Sequence, residues 1–218
     1  MCIIPRAATL PTCENPMSDP SHTASACRVA SRSDKDAVVA TLAEAFQHEP
    51  AFSFILPDPA ARQQALLRAF RIVFAEDIKA GAIMMTSQGE AVTAWRSPAY
   101  MREGQWEAIR TRLPYLLAFG PAIGRAAQVA ALIKAHLPEE GCWYLHYAGC
   151  HSDHRGKGFG GAAIRAGLAR ADAERAKAWL ETADEANLAI YRALGFEVAC
   201  TWTVPGGPTF WGMMRPAR

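Results

Sequence analysis

Apolar positions recur every three to four residues through Val38, Val39, Leu42 and Phe46, and the spacing predicts a helix capped by Ser33 or Asp34. A longer stripe through Leu66, Leu67, Phe70, Val73, Phe74 and Ile78 predicts a second, core-facing helix. Pro59 or Ala60 opens it and Gly81 ends it. A short strand is expected around Arg28, Val29 and Ala30, and an aromatic segment broken by prolines lies between the helices at 49–57. Apolar runs at 82–86 and 91–96, separated by Ser87-Gln88-Gly89-Glu90, predict a hairpin, and Pro98 stops its second strand. Residues 101–137 read as two or three helices, interrupted at Pro114 and around Gly120-Pro121. Then come a strand at 143–150, a glycine-rich turn, a helix at 162–177, a strand at 178–182 and a helix carrying Asn187 and Tyr191. Strands at 197–204 and 209–214, joined by Pro205-Gly206-Gly207-Pro208, end the chain. The sum is a mixed α/β sheet with helices on both faces.

Composition changes little in that picture. With 218 residues, 50% hydrophobic and 20% charged, the chain suits one soluble domain with a sizeable core. We expect that domain to span 27–218, preceded by a mobile tail at 1–26 that is rich in Pro, Ser, Thr and Ala; Met17 is an alternative start. A net charge of +2 without blocks of like charge gives no support for nucleic-acid binding. No apolar run is read as approaching the ~18 residues of a membrane span. Six scattered cysteines, with no C-x-x-C and no Cys/His pair at metal spacing, point to free thiols, a cytoplasmic setting and no metal.

The chemistry concentrates at 155–161, where Arg155, Gly156, Lys157, Gly158, Phe159, Gly160 and Gly161 follow a strand and open a helix. Unpaired amides and the helix dipole at such a junction hold phosphate. Glycine permits close approach, and the two cations add charge-assisted bonds. A plain tight turn is the other reading. The spacing fits neither Gly-Lys-Ser/Thr nor G-x-G-x-x-G, but it does fit R-x-x-G-x-G through Arg155, Gly158 and Gly160. Farther on, L-E-T at 180–182 is followed by Asn187, by Tyr191 four residues later, and by Leu194-Gly195-Phe196. Residues four apart share a helix face, so Asn187 and Tyr191 can address one ligand, and Gly195 suits a left-handed helix end.

Together these motifs resemble the GNAT superfamily of N-acetyltransferases. The likeness is strongest from Trp143 onward, through D-H-R-G-K-G, A-W-L-E-T, Y-R-A-L-G-F and V-P-G-G-P-T-F-W-G-M. It is fainter at 38–59 and 91–98, and residues 102–141 are not matched. The resemblance implies a mostly antiparallel central sheet with a splayed central strand pair, and acetyl-CoA as co-substrate. It implies cofactor contacts from Ala148, Gly149 and Cys150, from the 155–161 loop and from Asn187. It also implies that Tyr191 protonates the departing thiolate; a core tyrosine is the bland alternative. Amides near Gly149 and Cys150 are placed to stabilise the carbonyl oxygen. In the family the region matching 49–57 lines the acceptor pocket, with plain core again the alternative.

The general base stays open among His48, Glu49, His146, Glu181 and ordered water. Cys150 beside His151 and His154 raises covalent catalysis, but adjacent strand side chains point to opposite faces, so direct attack is preferred. The expected acceptor is a small-molecule primary amine, an antibiotic or other toxic amine among the options. A protein N-terminus or lysine is an alternative acceptor, and a non-catalytic acyl-CoA-binding regulator is a third reading. The protein is expected to be a monomer or homodimer.

Overall fold

The structure is a computed structural model that describes residues 26–103 and 112–218; apart from Ala26, the expected tail lies outside the described residues. Seven strands form one sheet in the order β1-β2-β3-β4-β5-β7-β6. They are β1 (Cys27–Val29), β2 (Gly81–Thr86), β3 (Ala91–Arg96), β4 (Trp143–Cys150), β5 (Ala178–Thr182), β6 (Glu197–Thr203) and β7 (Thr209–Arg215). Neighbouring strands are antiparallel except β4 and β5, which run parallel. This is the mixed, mostly antiparallel sheet the sequence implied.

The described helices are α1 (Lys35–Ala45), α2 (Pro50–Ile55), α3 (Pro59–Ala80), α4 (Pro98–Glu103), α5 (Arg112–Phe119), α6 (Ile123–His136), α7 (Phe159–Ala173) and α8 (Leu188–Ala193). Strand alternation divides them between two faces. Val92 and Ala94 of β3 join Val38, Leu42, Leu66 and Phe70 of α1 and α3. Trp95, their neighbour, joins Ile164 and Leu168 of α7 on the other side. Helix starts follow local chemistry. Ser31 and Asp34 form a capping box ahead of α1, and Asp58 caps α3, whose first residue is Pro59.

The α7 face is packed without slack. A Cβ placed on Gly167 would lie 2.0 Å from Nε1 of Trp95, which is fully buried and donates to Thr93 Oγ1. Gly167→Ala should therefore cost about 1–3 kcal/mol by overpacking. Thermal unfolding should show a drop of several degrees; an unchanged melting temperature would mean that α7 slides freely over β3.

Two sequence readings need correcting. The 49–57 segment is not irregular: Glu49 accepts from the Phe52 amide and Pro50 occupies the first turn, so α2 forms despite its prolines. Pro114 lies in the first turn of α5 as described, where its missing N–H costs nothing, and the residues just ahead of that helix lie outside the described ones. The stretch Leu113–His136 is long and apolar enough, by length and composition, to cross a membrane. A count of uninterrupted apolar residues overlooked it, because Gly120–Ala122 and the cations Arg125 and Lys134 break the run. Here it places Ala118, Phe119, Ala122 and Val129 in the core beside α2 and β7.

Candidate active site

Strands β4 and β5 pair only at Trp143↔Ala178 and Tyr144↔Trp179, then separate. The gap that opens is the splayed pair implied by the sequence. On its other edge β4 pairs with β3 as far as Cys150, and His151 N donates to Glu90 O. Antiparallel alternation then sends the backbone of Gly149 to Val92, and turns the N–H and C=O groups of Ala148 and Cys150 into the gap. Two of the three expected strand residues therefore present their backbone there. Gly149 serves packing instead: a Cβ on it would lie 2.9 Å from Ala45 Cβ and 3.0 Å from Leu42 Cδ2 of α1. The Cys150 thiol is pushed up by burial, so it stays protonated at neutral pH and gives no support to covalent catalysis.

The glycine-rich turn stands at the mouth of this gap, because Gly160 in the first turn of α7 approaches Cys150. Gly156 and Gly158 have φ of 76° and 85°, in the left-handed region, and a Cβ on either would meet nothing within 4 Å. Gly158 is the N-cap of α7 and supplies no capping side chain. Ala162 N already bonds to Gly158 O, leaving the amides of Phe159, Gly160 and Gly161 without intrahelical partners. No acidic residue lies in that first turn. Arg155 ties the turn down, donating to Cys150 O at 3.4 Å and to Ala45 O at 3.2 Å, while Lys157 Nζ donates to Asp153 O. The Gly160 amide lies on the Cys150 sulfur, and open space, the amides of Phe159 and Gly161 and two cations suit a pyrophosphate. The helix begins at Phe159 rather than at the expected 162, because Gly158 caps it three residues earlier.

The α1/α3 face beyond the gap holds groups that the motifs did not reveal. Between Ala94 and Trp95 the β3–β4 register shifts, which makes His146 the extra residue of a β-bulge. The bulge brings the His146 and Tyr147 rings within 4.2 Å of each other. His146 Nδ1 bonds to Asp77 Oδ2 at 2.7 Å, and Arg96 Nε donates to Asp77 Oδ1 at 2.7 Å. Burial alone would raise the Asp77 carboxyl, but His146 and Arg96 outweigh it and hold it below the usual range. Burial, with Arg96 beside it, lowers His146, so the ring is neutral at neutral pH and donates its Nδ1–H to Asp77.

Asp77→Asn should cost about 3 kcal/mol or more, because it leaves two buried partners facing a neutral amide. The lowered Asp77 contributes stability above the unfolded carboxyl value of ~3.9 and loses it as pH falls through the folded value. The gap in stability between wild type and variant should therefore narrow below about pH 4. Urea unfolding across pH measures this; a gap independent of pH would remove the ion pair from the account.

Glu181 lies on β5 just past the last β4–β5 pair. Tyr144 Oη donates to Glu181 Oε1, and Trp179 Nε1 donates to Oε2 at 3.1 Å. Burial pushes its carboxyl up to about 7, against these two bonds and Arg96. Tyr191 stands on the α7 side, packed with the cluster of Leu180, Leu188 and Phe196. Burial raises its hydroxyl above the ordinary range, helped by Glu181, Asp184 and Glu49, so three carboxylates lie within electrostatic reach. Glu49, itself raised by burial, caps α2 and senses Asp184. Asn187 ends the short turn ahead of α8, with its amide on Asp184 O, and Gly195 has φ of 91° as the helix end requires. His48 is set apart from this group, in an outer cleft with Gln47, Gln63 and Leu67.

The structure thus joins Glu49, Glu181 and Tyr191 and adds Asp77, Arg96, Tyr144 and Asp184, which sequence reasoning missed. For Asp77 a signal existed: Leu66, Phe70, Val73 and Asp77 follow spacings of four, three and four, so a carboxylate stands at a core position. Among the described residues, no group of three or more His, Cys, Asp or Glu is placed to hold a metal.

Comparison with known proteins bears on this geometry. The profile of the acetyltransferase (GNAT) family matches residues 83–196, more than half of the chain. A structure described as histone acetyltransferase HPA2 and related acetyltransferase from Corynebacterium glutamicum is 25% identical, with a TM-score of 0.67 over 88% of this chain and 96% of that one. Drosophila melanogaster polyamine N-acetyltransferase, which forms N-acetylagmatine, shares the fold at 14% identity and a TM-score of 0.53, over 88% and 99% of the two chains. The NatC complex bound to Gag peptide and CoA shares it at 10% identity and a TM-score of 0.51, over 88% and 98%.

Proposed function

The chain belongs to the GNAT acetyltransferase family, and from that premise we propose that it moves an acetyl group from acetyl-CoA to a primary amine of a small molecule. The observation that carries this reading is the strand gap with the first α7 amides at its mouth and three carboxylates within electrostatic reach of Tyr191. In this reading the amides of Phe159 and Gly161 hold the pyrophosphate, with Arg155 and Lys157 beside them. The backbone of Ala148 and Cys150 holds the pantetheine arm, and their N–H groups face the thioester oxygen as charge develops on it. Asn187 supports the same arm. The amine attacks the carbonyl carbon directly, the C–S bond breaks, and Tyr191 gives its proton to the sulfur.

A cationic acceptor suits Glu49, Asp184 and Glu181, which lie half-buried rather than in an open groove, and this favours a small amine over a protein. The segments A-W-L-E-T, Y-R-A-L-G-F and V-P-G-G-P-T-F-W-G-M are similar to puromycin N-acetyltransferase, which supports an antibiotic amine among the candidates. The test is a competition with acetyl-CoA between small amines (puromycin, tyramine, agmatine) and lysine-containing or free N-terminal peptides. Preference for a small amine is expected. Faster acetylation of the peptides would replace this reading with a protein acetyltransferase.

A further inference from the structure

The transferase reading leaves one step without an owner: a protonated amine must lose a proton before it can attack. We propose that Glu181 takes that proton, with Tyr144 and Trp179 as the positioning residues that fix its carboxylate at the point where β4 and β5 part. This rests on the transferase reading above.

Three observations carry it. First, Glu181 lies two residues beyond the last paired residue of β5, on the strand that borders the gap into which Ala148 and Cys150 turn their amides, and its carboxylate is bonded to Tyr144 of the facing strand. Secondly, its two oxygens are each held by one donor from a rigid aromatic side chain, Tyr144 to Oε1 and Trp179 to Oε2. Each oxygen keeps a lone pair, so the carboxylate is oriented yet still able to accept. Thirdly, the other buried base on this face is poorly placed for a cation. His146 is bound to Asp77 through Nδ1, and burial with Arg96 beside it lowers its affinity for a proton. Glu181 instead shares the surroundings of Tyr191 with Asp184 and Glu49, where carboxylates attract one.

The titratable groups that face Glu181 come from several elements. They are Arg96 on β3, Cys142 ahead of β4, Tyr144 and Tyr147 on β4, Tyr191 on α8 and Cys200 on β6. Of these, Arg96 alone is charged at neutral pH, and it holds Glu181 toward the ionised form. Burial acts the other way and brings the carboxyl close to neutrality, which suits a base that must both take and release a proton.

The protons balance. The ammonium gives one proton to Glu181, which passes it to solvent. The neutral nitrogen then attacks and the C–S bond breaks. Tyr191 gives its proton to the sulfur, and the second N–H proton, released as the amide forms, restores Tyr191.

The test is a pH profile of kcat/KM for acetyl transfer to tyramine and to puromycin, with wild type, Glu181→Gln, Glu181→Asp and His146→Gln. Tyramine carries an alkylamine that is protonated at neutral pH, like a lysine side chain. Wild type should rise with pH and level off above about 7, where Glu181 is ionised. Glu181→Gln should lose about 10²-fold at pH 7. With tyramine its rate should keep rising about tenfold per pH unit toward the amine's own range near 10, because only amine already neutral in solution reacts. Glu181→Asp should recover the plateau with part of the rate, and His146→Gln should keep it. A merely structural Glu181 would lower the rate without moving the profile, and that outcome overturns the proposal. So does a plateau lost in His146→Gln and kept in Glu181→Gln. If wild type acetylates no amine, small molecule or peptide, the transferase reading fails first and takes the proposal with it.

Discussion

Gly158→Asp is expected to abolish acetyl-CoA binding while leaving the protein folded. Gly158 sits at φ of 85° as the N-cap of α7, with nothing within 4 Å of a Cβ placed on it. Asp enters the left-handed region more readily than most residues, at a cost of about 1–2 kcal/mol. The extended backbone that a side-chain cap needs is absent at this φ, so no cap offsets that cost, and the protein should stay folded with a melting temperature a few degrees lower. The ligand fares differently: the new side chain brings bulk and negative charge to where the pyrophosphate belongs. Affinity should fall at least ~10²-fold, or about 2.7 kcal/mol. Calorimetric titration with acetyl-CoA, alongside thermal unfolding, measures both arms. Binding of wild-type strength would move the cofactor away from this turn.

Tyr191→Phe should lower kcat by ~10²-fold or more with little effect on acetyl-CoA affinity or melting temperature. The ring stays in its cluster with Leu180, Leu188 and Phe196, so packing is kept. What is lost is the one proton this side chain can donate. Burial and the three nearby carboxylates keep that proton in place across the neutral range. The nitrogen becomes positive as it bonds to the carbonyl carbon, opposes the same carboxylates, and so eases donation when the sulfur departs with its charge. Because the interaction matters mainly in the transition state, the loss should fall on kcat. An equal loss of cofactor affinity would mark Tyr191 as a binding or packing residue. If kcat does not change, a pre-steady-state measurement of acetyl transfer separates slow product release from protonation of sulfur by water.

The cofactor half of the site was legible because its chemistry is local. A phosphate cradle needs glycine at fixed offsets from a helix start, and Gly156 and Gly158 carry the positive φ that the turn demands. Strand β4 and the hairpin of β2 and β3 were equally readable, since alternation and turn residues set them. The titratable groups beyond the gap were only partly legible: Glu49, His146 and Glu181 stood out, but not what surrounds them. Asp77, Arg96, His146 and Tyr144 come from α3, β3 and β4 and meet only through tertiary packing. The bulge at His146 depends on the register with β3, which no single strand encodes. Gly149 shows the reverse lesson: a glycine inside a cofactor motif turns out to admit α1, because the backbone it would offer is already paired with β3. Local motifs thus located the candidate phosphate cradle, and long-range packing decided which titratable groups gather beyond the gap.

The central claim is that acetyl-CoA is a substrate and an amine its acceptor. The direct measurement is release of free thiol from acetyl-CoA by the purified protein, with and without a panel of puromycin, tyramine, agmatine and spermidine, with mass detection of the N-acetyl product. Thiol release should depend on an amine and match the N-acetyl product mole for mole. Tight binding of acetyl-CoA with no thiol release for any amine, small molecule or peptide, would contradict it and leave an acyl-CoA-binding protein without catalysis.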